Sequence, residues 1–379
     1  MTDDERREDE PDGEAEASLR VRMGAALVTV VLVVGCVAAF VATLGICAQQ
    51  VEAPGAMVAG SWIRLEGCGP ALEQMGALRL SSLWLDGSWW RLTTAGLLHG
   101  SWLHLILNIW SLWVVGEVAE RTWGRARMVV LFAVSSVMGC LASAAWVEAP
   151  MVVGASAGIM GIAGALLVGR VLGRGKVATT LQMVSPGILG GWLAVLVGLG
   201  FFVDVIAQAG HLGGLAAGAL LGVAWSNREP TVALAGRAGV MLAIAGLVLM
   251  ARQSQGREGY YEYLGYAYME REEDAAGLAA FEKALERRPE DSSLANSVAY
   301  GLAKAGVELG RAEELVMGAL ADDDENPDFI DTLGWIYCRR GDVEAGMVIL
   351  REASEKSGGG VEEIEGHLEE CAGAVVVAE

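Results

Sequence analysis

Charged residues are scarce in the middle of this 379-residue chain, which has 27 basic and 47 acidic residues in all. Residues 23–252 carry 12 basic and 9 acidic residues, whereas residues 253–379 carry 11 and 29. Hydrophobic residues make up 53% of the chain and the mean hydropathy is +0.41, which excludes an ordinary soluble protein. The composition predicts an acidic disordered tail at 1–22, a membrane domain at 23–252 and a soluble domain at 253–379.

Acids and metal ligands are also rare where the chain is apolar. The acids there are Glu117, Glu120 and Asp204, all near the ends of apolar runs, which argues against a transporter that relays protons. No cysteine or acid stands at ligand spacing from a histidine, which argues against a metal site. The acidic C-terminal domain argues against nucleic acid and anionic lipid as its partners, although such a surface more often serves only solubility.

Apolar runs long enough to cross a bilayer occur seven times. They cover residues 24–47, 97–118, 128–147, 156–172, 181–203, 207–226 and 231–251. Arg20 and Arg22 precede the first run, and the loops after runs three and five lack basic residues. The positive-inside rule therefore places the N-terminus in the cytoplasm and, with seven spans, the C-terminal domain outside. Because Arg237 leaves only about 14 uninterrupted apolar residues in the seventh run, that run could instead lie on the membrane, with the domain inside.

Five polar residues lie in apolar segments where an unpaired polar group costs several kcal/mol. They are His99, His104, Asn108, Ser156 and His211. His104 and Asn108 are four residues apart and share a helix face, whereas His99 is expected to cap that helix or tie down the adjoining loop. Ser156 begins a short run, so its hydroxyl is expected below the membrane surface at a helix N-terminus. We interpret the set as one internal site with a serine nucleophile and a histidine base.

Glycines predict how the serine and its base meet. They flank Ser156 and His211 at spacings that let two helices approach closely: Gly154, Gly158, Gly161, Gly164, Gly210, Gly213, Gly214 and Gly218. A lone histidine in such a helix is as often a structural residue bonded to a carbonyl, and Gly169 and Gly173 are interpreted as a packing seam. The G-x-S-x-G pattern alone is weak, and it also fits an α/β-hydrolase, but no nearby soluble stretch is long enough for that sheet. The spacing His-x4-His-x3-Asn is the specific signal.

These motifs resemble the rhomboid family of intramembrane serine proteases over residues 81–226. The resemblance rests on Trp90-Arg91, the histidine and asparagine pattern, Gly116-x3-Glu120-x3-Gly124-x2-Arg127, GASAG around Ser156 and GHLGG around His211. It implies Ser156 as nucleophile, His211 as general base, and an oxyanion hole formed by His104, Asn108 and the Ser156 amide. Supporting roles fall to Arg91, Glu120, His99, Gly154 and Gly214. The sequence departs from the family where Ala157 replaces a glycine and Met160 an aromatic residue.

The resemblance implies cleavage of transmembrane or juxtamembrane segments without a cofactor, in a six-helix membrane core plus a seventh span. Helical substrates hide their carbonyls, so cleavable segments are expected to contain Gly, Pro or polar residues, with small residues at the cut. The alternative is a catalytically silent rhomboid-like protein that binds or escorts client proteins. We expect a multi-pass protein of a bacterial cytoplasmic membrane, all-α throughout, whose partners are the bilayer and transmembrane protein substrates.

The C-terminal domain resembles tetratricopeptide (TPR) repeats. Residues 261–289 and 330–353 share a pattern that includes the Leu264-Gly265 and Leu333-Gly334 pairs, 69 residues apart, and residues 292–323 form a weaker middle repeat. This predicts three helical hairpins whose groove holds a peptide or protein; the alternative is a short helical bundle without a specific ligand. If the domain lies outside the cell, Cys338 and Cys371 could form a disulfide.

Overall fold

The computed structural model describes residues 26–50, 65, 67–147, 149–182, 184–199, 208–226 and 229–378. The chain divides into two compact units, Met1–Ser254 and Gln255–Glu379. The predicted acidic tail at 1–22 and Asp204 lie outside the described residues.

The first unit is an all-α membrane helix bundle. Four of its described helices are long and apolar enough to cross a membrane: Leu27–Cys47, Trp102–Trp123, Arg125–Trp146 and Pro230–Arg252. The seven predicted runs correspond to α1 (Leu27–Cys47), α5 (Trp102–Trp123), α6 (Arg125–Trp146), α7 (Ser156–Leu172), α9 (Pro186–Leu199), α10 (Gln208–Ser226) and α11 (Pro230–Arg252). Short helices fill the connections: α2 (Gly69–Gln74), α3 (Leu80–Leu85), α4 (Arg91–Thr94) with a 3-10 turn (Ala95–Leu97), and α8 (Lys176–Thr180).

One predicted boundary needs correction. The second helix begins at Trp102 rather than near residue 97, because Ser101 accepts a hydrogen bond from the backbone N–H of His104 and caps it. The last helix agrees with the predicted run at 231–251 and continues through Arg237. It runs for 23 residues from Pro230, which stands at the first helical turn where its missing N–H costs nothing.

Helix α7 lies at the centre of the bundle and contacts α5, α6, α9 and α10. Its contact with α10 is at backbone level. A methyl group on Gly214 would lie 2.1 Å from the carbonyl O of Ala157, and one on Gly218 would lie 1.9 Å from that of Gly161. The predicted small-residue interface between these helices is therefore present, because no side chain larger than hydrogen fits there.

Glu120 fastens α5 to the start of α1. Its carboxylate, 3% exposed, accepts hydrogen bonds from the backbone N–H groups of Val28 and Thr29 at 3.0 Å each and from the Thr29 hydroxyl at 3.2 Å. The first amides of a helix have no partner within that helix and carry positive partial charge. The sequence analysis predicted that Glu120 lies near the end of a span. In the structure its carboxylate caps the N-terminus of α1.

A two-stranded antiparallel ribbon lies beside the bundle. β1 (Leu78–Arg79) pairs with β2 (Met151–Val152), which precedes Ser156. Two residues per strand are far fewer than the sheet of an α/β-hydrolase requires, and the described residues contain no other sheet.

Two disulfides cross-link the chain. The pair Cys338–Cys371, hypothesised from the sequence, is present. The pair Cys47–Cys68 was not predicted, since Cys47 was assigned to the first apolar run and Cys68 to the loop after it. Cys47 is the last residue of α1, as it is of the predicted run at 24–47.

The second unit consists of helices that pack in consecutive pairs. They are α12 (Tyr260–Met269), α13 (Asp274–Arg287), α14 (Ser292–Ala305), α15 (Leu309–Asp322), α16 (Pro327–Arg339), α17 (Val343–Lys356) and α18 (Glu362–Ala378). Three pairs and one further helix agree in number with three hairpins, and the assignment to TPR repeats stays a prediction.

Helix α18 is held on α16 by more than its disulfide. Nδ1 of His367 lies 2.8 Å from a carboxylate oxygen of Asp331, and the His367 ring stacks on Trp335 at 4.1 Å between centroids. Burial raises the pKa of the Asp331 carboxyl, and the hydrogen bond from His367 opposes that rise.

Candidate active site

Ser156 is the first residue of α7, and the turn before it depends on glycine. Gly154 has φ of +124°, a conformation that side chains disfavour, and its N–H donates to the carbonyl O of Ala95 at 3.0 Å. Ser156 is half-buried and Ala155, just before it, is fully buried. The hydroxyl therefore lies at a helix N-terminus whose free amides favour negative charge.

The His104 ring lies across Gly154 from the serine. A methyl group on Gly154 would lie 2.7 Å from both Cε1 and Nε2 of His104 and 3.7 Å from Oγ of Ser156. Glycine is thus required here twice, by its backbone angle and by the space between imidazole and hydroxyl. The arrangement brings Nε2 of His104 beside the position where an oxygen attached to a Ser156 adduct would lie.

His99 does not cap helix α5, because that role belongs to Ser101. Its Nδ1 lies 3.2 Å from the carbonyl O of Leu97 in the preceding 3-10 turn, and its ring meets that of His104 edge-on at 5.0 Å between centroids. His99 is completely buried. It holds the adjoining loop in place, which was the alternative role predicted for it, and its ring supports that of His104.

Asn108 lies one turn after His104 on the same face of α5. Its side-chain Nδ2 donates a hydrogen bond to the carbonyl O of His104 at 2.8 Å, and the residue is 6% exposed. That bond uses one of the two N–H groups of the amide. The second N–H is the group through which Asn108 could contribute to an oxyanion hole.

His211 lies on α10, which packs closely on α7. It stands three residues before Gly214, whose Cα packs on the carbonyl of Ala157, the residue after the serine. The imidazole lies close enough to His104 for the two rings to interact electrostatically. Among the described residues, its buried Nδ1 has no hydrogen-bond partner. No carboxylate therefore orients this ring within the part of the chain that the structure describes.

The alanine at 157 is accommodated by a glycine on another helix. A methyl group on Gly139 of α6 would lie 2.3 Å from Cβ of Ala157 and 2.7 Å from the carbonyl O of Gly210. The missing side chain at 139 thus leaves room for the extra methyl at 157 and lets α10 approach. Met160 is 1% exposed and belongs to the main hydrophobic core.

Arg91 organises the loop segment between α1 and α5. Its Nη1 donates to the carbonyl oxygens of Glu73 at 2.7 Å and of Ala77 at 2.8 Å, and its guanidinium stacks on Trp90 at 4.8 Å. These bonds fix the segment that leads into β1, the partner of the strand before Ser156.

Three features of the site escaped the sequence analysis. Ser101 was missed although a serine directly before an apolar helical run is a capping signal. Gly139 and the disulfide Cys47–Cys68 had no such signal, because their partners lie on other segments. Among the described residues, no group of three His, Cys, Asp or Glu side chains could hold a metal ion.

Comparison with known proteins covers the segment that holds these residues. A family profile described as the Rhomboid domain matches residues 86–228. Putative rhomboid protease YdcA of Bacillus subtilis (strain 168) is 35% identical over 139 residues, which cover 36% of this chain and 67% of that protein. The chain belongs to the rhomboid family. Rhomboid protease GluP of the same strain is 35% identical over 138 residues, covering 36% of this chain and 26% of its own length. Rhomboid protease AarA of Providencia stuartii is 30% identical over 164 residues, covering 37% of this chain and 57% of its own length.

The rhomboid match has defined limits. It includes Arg91, His104, Ser156 and His211 and excludes residues 229–379. The chain spans about a quarter to a half of the length of the first three relatives, with coverage of 26%, 38% and 48%.

Proposed function

We propose that this rhomboid-family chain is an intramembrane serine endopeptidase that uses Ser156 and His211 as a catalytic dyad. The observation that carries the proposal is the packing of two other helices against the residues that flank Ser156. Ser156 begins α7, the His104 ring of α5 lies across Gly154 from it, and α10 packs its His211 turn against the following residue. The relatives GluP and AarA, which are named as rhomboid proteases, support the same reaction class.

In the proposed reaction, Oγ of Ser156 attacks a substrate carbonyl while His211 takes its proton and passes it to the leaving amine. The negative charge that develops on the carbonyl oxygen is stabilised by the Ser156 amide, His104 and the second N–H of Asn108. Water then attacks the acyl-enzyme, with His211 again as the base. Nδ1 of His211 has no hydrogen-bond partner among the described residues, which is compatible with a dyad that has no acidic third member.

The proposed substrates are transmembrane or juxtamembrane segments that unwind readily. A carbonyl within an intact helix is bonded to an N–H four residues away and does not reach Ser156. Gly, Pro or polar residues near the cut would weaken those bonds.

Labelling with a fluorophosphonate tests the proposed nucleophile. We expect the purified full chain in detergent to bind the probe covalently, because the probe reacts only with an activated serine, and Ser156→Ala to abolish labelling. A matched control is Ser81→Ala, which removes another buried serine hydroxyl of the same unit and should label as wild type. A folded wild-type protein that does not label would favour the catalytically silent client-binding protein.

We further propose that the second unit is a TPR-like domain that binds a protein or peptide. Three consecutive helix pairs, with a predicted repeat period near 34 residues, support this proposal. Its groove would recruit substrates to the membrane unit.

We propose that this domain lies outside the cytoplasm, as the positive-inside rule predicts for seven spans. The disulfide Cys338–Cys371 supports this side, because such bonds persist in oxidising compartments, and the 23 residues of α11 suffice to cross a bilayer. In cells quenched with acid, mass spectrometry should recover peptides linked through Cys338 and Cys371. Recovery of both as free thiols that react with a membrane-impermeant maleimide only after lysis would contradict the proposed side.

A further inference from the structure

Tyrosine is concentrated at one place in this chain. Five of its seven tyrosines lie in α12, the first helix after α11: Tyr260, Tyr261, Tyr263, Tyr266 and Tyr268. Tyrosine combines an apolar ring with a polar hydroxyl and is enriched where membrane meets water. Such a concentration beside the end of a membrane helix points to a role at that interface.

Two cations share one of these rings. Nζ of Lys283 lies 5.4 Å and Cζ of Arg287 lies 4.7 Å from the centroid of Tyr261, and both basic residues are exposed. Tyr261 and Arg287 also line a surface cavity of about 310 Å³ together with Arg257 and Arg288. We call Arg257, Tyr261, Lys283 and Arg287 the basic tyrosine face.

Lys283 and Arg287 differ from most other cations of the second unit. Most of those cations pair with carboxylates: Arg288 with Glu262, Lys304 with Asp274, Arg311 with Glu282, Arg339 with Glu370, Arg340 with Glu313 and Lys356 with Glu325. By contrast, Lys283 and Arg287 have no carboxylate ion pair among the described residues. Nη1 of Arg287 donates instead to the carbonyl O of Gln255 at 2.6 Å. These two positive charges thus have no paired carboxylate, in a unit with 29 acidic and 11 basic residues, and the one acidic residue that lines the same cavity is Glu258.

A short tether connects this face to the end of α11. Ser254, the last residue of the first unit, is 1% exposed, and its hydroxyl donates to the carbonyl O of Ala144 at 3.2 Å and of Ala251 at 2.9 Å. Only residues 255–259 separate it from Tyr260, a tether of about 20 Å when fully extended. Arg287 bonds to Gln255, the first residue of the tether, so its guanidinium lies close to the start of the tether. The headgroup layer on each side of a bilayer is therefore within reach.

We propose that the basic tyrosine face docks on the phosphates of the surrounding phospholipid headgroups and so fixes the second unit at the membrane surface. Lys283 and Arg287 contact the phosphates, and the Tyr261 ring beneath them lies at the level of the headgroups. The surplus of acids elsewhere in the unit is repelled from an anionic bilayer, which favours the orientation with this face down. The acidic composition of the domain thus conceals a local site for anionic lipid.

Hydrogen exchange of the full chain in nanodiscs tests the proposal. The amides of α12 are compared in phosphatidylcholine alone, in phosphatidylcholine with phosphatidylglycerol, and in detergent with or without inorganic phosphate. We expect α12 to exchange about fivefold more slowly in the anionic nanodiscs than in detergent, the effect of one basic residue at an anionic surface. High salt should remove most of this protection because it screens the contact.

The variant Lys283→Glu should abolish the protection given by phosphatidylglycerol. Its matched control is Arg351→Glu, which makes the same charge change at an exposed residue of α17 and should leave α12 protected. If the variant already exchanges faster in detergent, the comparison of lipids in the wild type decides by itself. Equal exchange of wild-type α12 in anionic nanodiscs and in detergent would overturn the proposal. Equal protection by inorganic phosphate in detergent would overturn it too, since it would indicate a site for a free anion.

Discussion

Replacing His211 by glutamine is expected to lower the rate of fluorophosphonate labelling of Ser156 by about 10²–10⁴-fold, the usual contribution of a positioned general base. Glutamine approaches histidine in size and polarity but cannot accept a proton from the serine. Because α10 packs on α7 through glycines rather than through His211, the helix contact should persist. The measurement is the second-order rate of labelling in detergent, compared at matched protein concentration.

His99→Gln is the matched control, since it removes another buried imidazole of the same unit. His99 bonds to the carbonyl O of Leu97 and supports His104, so its loss is expected to lower the melting temperature while labelling stays within about tenfold of wild type. If His211→Gln labels at the wild-type rate, His211 is not the base. If both variants lose labelling and melt early, the histidines act through folding alone.

The largest loss of stability is expected from Gly218→Ala. The added methyl would lie 1.9 Å from the carbonyl O and 2.4 Å from the Cα of Gly161, and backbone atoms cannot move aside as a flexible side chain does. We expect the two helices to separate, at a cost of about 3 kcal/mol or more in the free energy of unfolding. Alanine has the higher helix propensity, so any destabilisation comes from the contact between helices.

Gly246→Ala on α11 is the control, because no atom lies within 4 Å of the methyl it would add. Thermal unfolding in one detergent should show a midpoint below that of wild type for Gly218→Ala and an unchanged midpoint for Gly246→Ala. Separation of α7 from α10 also moves His211 away from Ser156, so labelling should fall in the first variant only. Equal midpoints for both variants would mean that the close contact at Gly218 is absent in solution.

Much of the membrane unit could be predicted from local sequence. The apolar run at 156–172 coincides with α7. Of the predicted glycines, Gly161, Gly164, Gly214 and Gly218 form the interface between α7 and α10, whereas Gly158 and Gly213 pack on α6. These features depend on the hydrophobicity and size of residues that are neighbours in the sequence. The predicted start of α5 was about five residues too early. The loop before Ser101 is also apolar, so hydrophobicity alone did not show that the helix begins only after this cap.

The candidate site was predicted as a set of residues and without its geometry. The pattern of His104 and Asn108 put both on one helix face, but it gave no indication that the Asn108 amide donates to the His104 carbonyl. The prediction that His99 caps a helix failed because a nearby serine is the better cap. The departure at Ala157 became understandable only with Gly139, which comes from a different helix.

By itself, the sequence determined that this protein is an all-α, multi-pass membrane chain, because composition and periodicity are local properties. It also predicted one internal site with a serine and histidines from motif spacing. Only the tertiary structure decided that Gly154 separates His104 from Ser156, that Cys47 pairs with Cys68, and that Lys283 and Arg287 converge on Tyr261. Each of these contacts joins residues that are many positions apart. Their distances depend on how whole helices pack, and helix packing is a property of the folded chain as a whole.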